Sequence, residues 1–235
     1  MLKFNNFLKE STTDTHVTTF MRANPPTAGH EQVVNKVLET AKKVGGSHSV
    51  VLSHSQDPKK NPLSPSQKLK HARRAFPGAN LTTSSKESPS LLSHVAKLHG
   101  QGVKNLHIVV GQDRVDEFKT LLNKYNGVKG SHGHYNFDKI EVHSAGDRDP
   151  DAEGTTGMSG SKMRAHAAAG KFKEFRKGVP GHVSDAHAKE LYHDLRKGMN
   201  LKEDINQTFT EVLSEGVHDQ GIFKAVFLAG GPGSG

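Results

Sequence analysis

Short β-rich apolar runs alternate with stretches of helical periodicity along most of this chain, and that alternation constrains the fold more than any other feature. Residues His16 to Arg22 form the first β-rich run. Asn24-Pro25-Pro26 then stops strand or helix, because proline has a fixed φ and no N–H to donate, and Val33, Val34, Val37, Leu38 and Ala41 follow at helical spacing. The order recurs as a strand from His48 to Ser53, a basic helix from Ser66 to Phe76, a weaker strand from Leu81 to Ser84 and a helix near Ser90 to His99. The clearest strand, Leu106 to Val110, ends at Gly111 and feeds a helix from Val115 to Tyr125; Lys139 to His143 adds one more strand. Strands joined through helices at this spacing need right-handed crossovers. The expected class is therefore α/β: a Rossmann-like, doubly wound, mostly parallel sheet with helices on both faces. Ligands of such sheets sit at the carboxyl ends of the strands, so the loops after Phe20, Val110 and His143 are the informative ones.

The 235 residues divide into an N-terminal tail over 1–14, a core domain over 15–180, a helix and linker over 181–220, and a fresh segment over 221–235. Within the core, Lys129 to Asp138 is rich in Gly and His and reads as a loop or flexible lid, and Ser184 to Lys197 reads as a surface helix. An apolar fraction of 33% is low for a chain packed throughout, which fits one core domain with less packed ends. The chain has no cysteine, which excludes disulfides and cysteine-ligated zinc or iron–sulfur sites. No window approaches the roughly 18 consecutive apolar residues of a membrane span, so a soluble, cytoplasmic protein is expected. A net charge of +8 favours anionic partners without choosing among them. The basic residues are dispersed and aromatics make up only 6% of the chain, so the basic groove with stacking platforms used on single strands is not evident and nucleic acid is not the expected substrate.

Two motifs carry chemistry. Asn24-Pro25-Pro26-Thr27-Ala28-Gly29-His30 lies between the first strand and the first helix, with Thr27 and His30 three apart and so on one face of the opening turn. A helix start offers unpaired N–H groups and a positive dipole end, which suits phosphates. On spacing alone, a capping Thr beside a surface His reads equally well. The second motif, Gly157-Met158-Ser159-Gly160-Ser161-Lys162-Met163-Arg164, precedes a helical segment from Met163 to Ala169, and its hydroxyls, amides and Arg164 make a second polyphosphate site.

Together the two motifs resemble those of the cytidylyltransferase-like nucleotidyltransferases, in which a His- or Thr-x-Gly-His element follows the first strand and an Ile-Ser-Ser-Thr-x-x-Arg element follows the last. The resemblance covers about residues 16 to 177. Val110-Gly111-Gln112-Asp113 with Phe118 is similar to a segment of the nicotinate and nicotinamide mononucleotide adenylyltransferases. The resemblance implies that Thr27 and His30 contact the triphosphate, with His30 stabilising the pentacoordinate transition state, and that Ser159, Ser161 and Arg164 hold the β and γ phosphates. Backbone groups near Arg22 and Ala23 would face the α-phosphate, Asn24 and Gly29 would belong to the same nucleotide site, Gly111 and Asp113 would help seat the nucleoside, and Mg²⁺ would bridge phosphate oxygens. Three positions depart from the pattern: Met21 where the family has Gly, Ala23 where it has an aromatic residue, and Gly160 where it has Ser. Lys59 to Ser66 resembles the family's second-substrate loop, with Asn61 on it and Lys68, Lys70, Arg73 and Arg74 on the next helix; Asn61 and Arg73 are the expected acceptor contacts.

The 16 histidines form no ligand pattern in a defined element, and His132-Gly133-His134 in a loop reads as solvated, so no protein-held metal is assigned. Asp147-Arg148-Asp149-Pro150-Asp151 reads as a charged surface turn. Near the end, Ile222 to Ala229 leads into Gly230-Gly231-Pro232-Gly233-Ser234-Gly235, a strand running into the start of a P-loop. This order resembles bifunctional enzymes that join a nicotinamide mononucleotide adenylyltransferase to a P-loop kinase domain. Leu8-Lys9-Glu10 and Leu213-Ser214-Glu215 resemble prohead-protease cleavage signals of tailed bacteriophages, which would place the protein in host cytoplasm or virion interior. Three readings follow: an adenylyltransferase using ATP and a phosphorylated acceptor such as nicotinamide mononucleotide, a cytidylyltransferase using CTP and a phosphorylated alcohol, or a non-catalytic nucleotide-binding or capsid-internal protein.

Overall fold

A computed structural model describes residues 14–146 and 158–201. Both Leu-x-Glu sites, the Asp147 to Asp151 turn, Gly157, the linker after Leu201 and the glycine-rich end lie outside the described residues.

The strands are β1 (Thr15–Met21), β2 (Ser47–Leu52), β3 (Leu81–Thr83), β4 (Asn105–Val110) and β5 (Lys139–Ser144). They form one parallel sheet in the order β3-β2-β1-β4-β5. Between them run α1 (Ala28–Val44), α2 (Pro65–Ala75), α3 (Leu91–Gly100) and α4 (Val115–Tyr125), and β5 is followed by α5 (Gly160–Ala168), α6 (Phe172–Lys177) and α7 (Asp185–Gly198). Side-chain alternation along the strands divides the core. Val17, Val50, Leu52 and Val109 pack with Val34 and Val37 of α1 and Ala72 and Ala75 of α2. Leu106, Ile108 and Val110 point the other way, against Leu91, Val95 and Leu98 of α3 and Phe118 and Leu122 of α4. Helices therefore cover both faces, and each fully buried aliphatic side chain contributes roughly 1.5–3 kcal/mol. Among the described residues no helix is long and apolar enough to cross a membrane.

The other face of β1 and β2 is polar where it meets α3. His16 bonds Ser47 and Ser49 at 2.7 and 2.8 Å, and Thr18 bonds Ser49 at 2.9 Å and His94 at 3.3 Å. Burial, followed by neighbouring histidines for His16 and Lys97 for His94, lowers both imidazoles to about 4. They are neutral hydrogen-bonding groups at neutral pH.

A third apolar cluster joins α5, α6 and α7 through Met163, Phe175, Leu191, Tyr192 and Leu195, and Leu63 inserts into it from the loop before α2. The short α6 was not anticipated, and α5 starts three residues before the expected Met163. The Lys129 to Asp138 segment is a loop anchored at its far end: Tyr135 and Phe137 are buried in the core, and the Tyr135 hydroxyl donates to the Leu122 carbonyl at 2.9 Å.

Candidate functional site

The order of strands reverses between β1 and β4, which is where open α/β sheets bind ligands. Their mutual ladder stops at the Thr18–Ile108 pair, although β1 continues to Met21 and β4 to Val110. The carboxyl ends of the two strands thus part, and the loops carrying Arg22 to Thr27 and Gly111 to Asp113 begin there.

Thr27 caps α1. Its hydroxyl, 2% exposed, accepts the His30 N–H at 3.2 Å and lies 2.8 Å from His30 Nδ1. When the hydroxyl donates to Nδ1, the imidazole carries its own proton on Nε2. The helix start is less open than its sequence implied: Ala28 N–H donates to the Gly178 carbonyl at 2.9 Å, leaving Gly29 N–H as the first-turn amide without an acceptor among the described residues. The start of α5 is more receptive. Ser159 caps it by accepting Lys162 N–H at 2.9 Å, and the Gly160 and Ser161 N–H groups have no acceptor among the described residues.

Asn24 ties these parts together. Its amide, 3% exposed, donates to the Leu63 carbonyl and accepts the Leu63 N–H, both at 3.1 Å, and its own carbonyl accepts from Arg164 Nη1 at 2.7 Å. Arg164 Nη2 also donates to Ser161 Oγ at 3.1 Å. Asn24 was expected as a nucleotide contact; its side chain is committed to the loop before α2, and sequence spacing gave no signal of that clamp. Ala23, fully buried, adopts φ 42°, a left-handed conformation that costs a non-glycine residue on the order of 1 kcal/mol.

The charge here is positive. Lys68, fully buried, donates to the Ser53 carbonyl and, at 3.3 Å, to Ser53 Oγ and the Ser55 carbonyl; burial and then Arg22 lower its amine to about 8. Burial and Arg22 also lower the Arg164 guanidinium, with Asp57 opposing. Asp57 closes the tip of the 57–61 turn, accepting Lys59 N–H at 3.0 Å, Lys60 N–H at 2.7 Å and Asn61 Nδ2–H at 2.6 Å. Lys59 and Lys60 stand exposed on that tip, whereas Asn61 is buried and its Oδ1 has no partner among the described residues.

The fold thus brings Arg22, Ala23, Asn24, Thr27, Gly29, His30, Ser159, Ser161 and Arg164 to one neighbourhood, with the 57–61 turn beside them through Asp57 and Gly111 and Asp113 at the parted end of β4. Arg73 is not brought there. It is exposed in the last turn of α2, at the end of the helix away from the carboxyl edge. Lys70 and Arg74 pair with Glu190 of α7. Of the departures from the family pattern, Met21 packs into the α1 side of the core rather than into the loop, and a Cβ at Gly160 would meet its neighbours at 3.5 Å or more.

No protein-family model and no curated protein matches the chain. Among solved structures it is similar to the crystal structure of Thermotoga maritima TmcAL bound with alpha-thio ATP, with a TM-score of 0.45 and 11% identity over 79% of this chain and 56% of that one. The chain spans a little over half the length of that protein.

Proposed function

We propose that the chain is a nucleotidyltransferase of the cytidylyltransferase-like kind, transferring the adenylyl group of ATP to a phosphorylated acceptor, nicotinamide mononucleotide first among candidates, with release of pyrophosphate. The observation that best supports this is the Thr27–His30 couple at the start of α1, beside the point where the strand order reverses. A phosphate oxygen of the acceptor attacks the α-phosphorus as the bond to the β-phosphate oxygen breaks, and the displaced pair of electrons leaves with pyrophosphate. The Nε2–H of His30 then donates to the α-phosphate oxygen whose charge grows in the transition state, and Thr27 holds the ring in that tautomer. The Gly29, Gly160 and Ser161 amides and the Arg22 and Arg164 guanidinium groups supply donors for the outer phosphates.

At this couple the donor set is one hydroxyl and one imidazole, which fits a Mg²⁺ ion carried mainly by phosphate oxygens and water; when bound, that ion would screen the charge of the triphosphate. Exposed Lys59 and Lys60 supply charge for the acceptor's phosphate.

A pyrophosphate-release screen of ATP and CTP against nicotinamide mononucleotide and phosphorylated alcohols tests the reading. ATP with nicotinamide mononucleotide is the expected active pair. His30→Ala should lower its turnover about 10²–10³-fold with the circular dichroism unchanged. Turnover with CTP and a phosphorylated alcohol would replace the assigned substrates, and an equally active His30→Ala protein would remove the assigned mechanism.

A further inference from the structure

On β4 and its neighbour β5, away from the parted strand ends, three ligand-type side chains converge. The register pairs His107 with Glu141 and Val109 with His143, so His107, Glu141 and His143 all project from the face that α1 covers. His107 Nδ1 lies 2.8 Å from His143 Nε2, and one oxygen of Glu141, Oε2, is 3.3 Å from the first nitrogen and 3.5 Å from the second. The three donor atoms form a compact triangle, and a point just off its plane lies about 2 Å from every corner, the bond length of zinc to imidazole and carboxylate. The two rings are 12° from parallel with centroids 5.1 Å apart, so their nitrogens face one another, and each ring would turn by roughly 45° to aim its lone pair at that point.

We propose that His107, Glu141 and His143 bind a divalent transition-metal ion of the zinc type, with the remaining coordination positions open to water. Two imidazoles and one carboxylate on one side of an ion suit borderline metals and disfavour Mg²⁺, which takes oxygen ligands. In the metal-free protein one proton bridges the facing nitrogens. Metal binding moves that proton to the far nitrogen of the same ring, so neither imidazole changes charge.

The surroundings leave the site reachable. Helix α1 lies across β1, β2 and β4, and β5 is the outermost strand on that side. Just beyond His143, an open groove of ≈ 750 Å³ runs between Gln32, Asn35, Lys36 and Glu39 of α1 and Ser144 to Gly146. His107 is buried while Glu141 and His143 are half-exposed, so the ion would have a protein side and a solvent side. Three lysines oppose a cation: Lys36 and Lys43 act on His143, and Lys139 pairs with Glu141 at 2.6 Å. Lys139 engages Oε1 and leaves Oε2 on the triangle, and Lys36 is itself paired with Glu39 at 3.1 Å.

Co²⁺ titration of the nucleotide-free protein tests the site, with visible d–d absorption as the readout and Zn²⁺ as competitor. Wild type should bind one more Co²⁺ than His143→Gln. Its absorption should have the intensity of a four- or five-coordinate ion and vanish with one equivalent of Zn²⁺ but not with excess Mg²⁺. Glu141→Gln, which keeps the side-chain shape, should weaken binding at least about 10-fold and leave the melting temperature of the metal-free protein unchanged. Equal stoichiometry and equal spectra in wild type and His143→Gln would overturn the proposal, since the ion would then sit on other histidines. No nucleotide takes part, so the outcome is independent of the assigned transfer reaction.

Discussion

At the start of α1, Thr27 is buried and its capping hydroxyl accepts a backbone N–H and holds His30; at the start of α5, Ser159 is half-buried and its hydroxyl accepts the Lys162 N–H. The first-turn amides differ in the same sense. One of α1's is bound to Gly178, whereas those of Gly160 and Ser161 have no acceptor among the described residues. Two helix starts with similar caps thus divide the work: one is a rigid wall that orients a side chain, and the other is a set of donors awaiting an anion. Arg164 and Asn24 connect them.

Among single substitutions the largest effect should come from removing the Asn24 side chain, which clamps the β1–α1 loop to Leu63. Asn24→Ala leaves the Leu63 N–H and carbonyl buried without partners, a loss of about 3 kcal/mol in urea unfolding. Stability within about 0.5 kcal/mol of wild type would show that the β1–α1 loop holds its place without the Leu63 clamp.

Acid should loosen β1 on the opposite, α3, face of the sheet, where the buried His16 network lies. His16 and His94 are held near 4, below their unfolded value of 6.5, so between those pH values the unfolded chain binds protons that the folded chain refuses. Stability is fully present above pH 6.5 and is lost as pH falls to 4, by up to roughly 3 kcal/mol per histidine. Urea midpoints measured across that range check the slope, and His94→Leu should flatten it.

The two caps give a smaller and direct contrast. Thr27→Ala should cost about 2 kcal/mol, since it removes a buried cap and the partner of His30, and Ser159→Ala about 1 kcal/mol or less. Equal losses in thermal unfolding would erase the distinction between the walls. Gly160→Ser should change stability by less than about 0.5 kcal/mol, because the added Cβ meets nothing closer than 3.5 Å.

Local signals in the sequence were enough for the order of the strands and of every helix but α6, and for the cap at Thr27, because periodicity and cap chemistry act within a few residues; the helix that Ser159 caps starts three residues ahead of where the helical spacing becomes visible. Features set by tertiary contacts were not legible. Nothing near Asn24 announces that its partner is Leu63, 39 positions away. Arg73 looked like a neighbour of the acceptor loop until the direction of α2 carried it to the opposite end. Tyr135 and Phe137 lay in a Gly- and His-rich stretch whose composition masked their burial. His107 and His143 are 36 residues apart and meet only through the β4–β5 register, although the Glu141-x-His143 spacing does put both on one face of a strand.

The Asn24 clamp also has a meaning for binding equilibria. The same buried amide that fixes the β1–α1 loop holds Leu63, two residues beyond the 57–61 turn. A ligand that orders the turn therefore reduces the freedom left for the loop, and a second ligand binding at the loop loses less entropy on arrival. Two substrates on opposite sides of this residue would bind with mutual help: each lowers the other's dissociation constant by the same factor, without any contact between them.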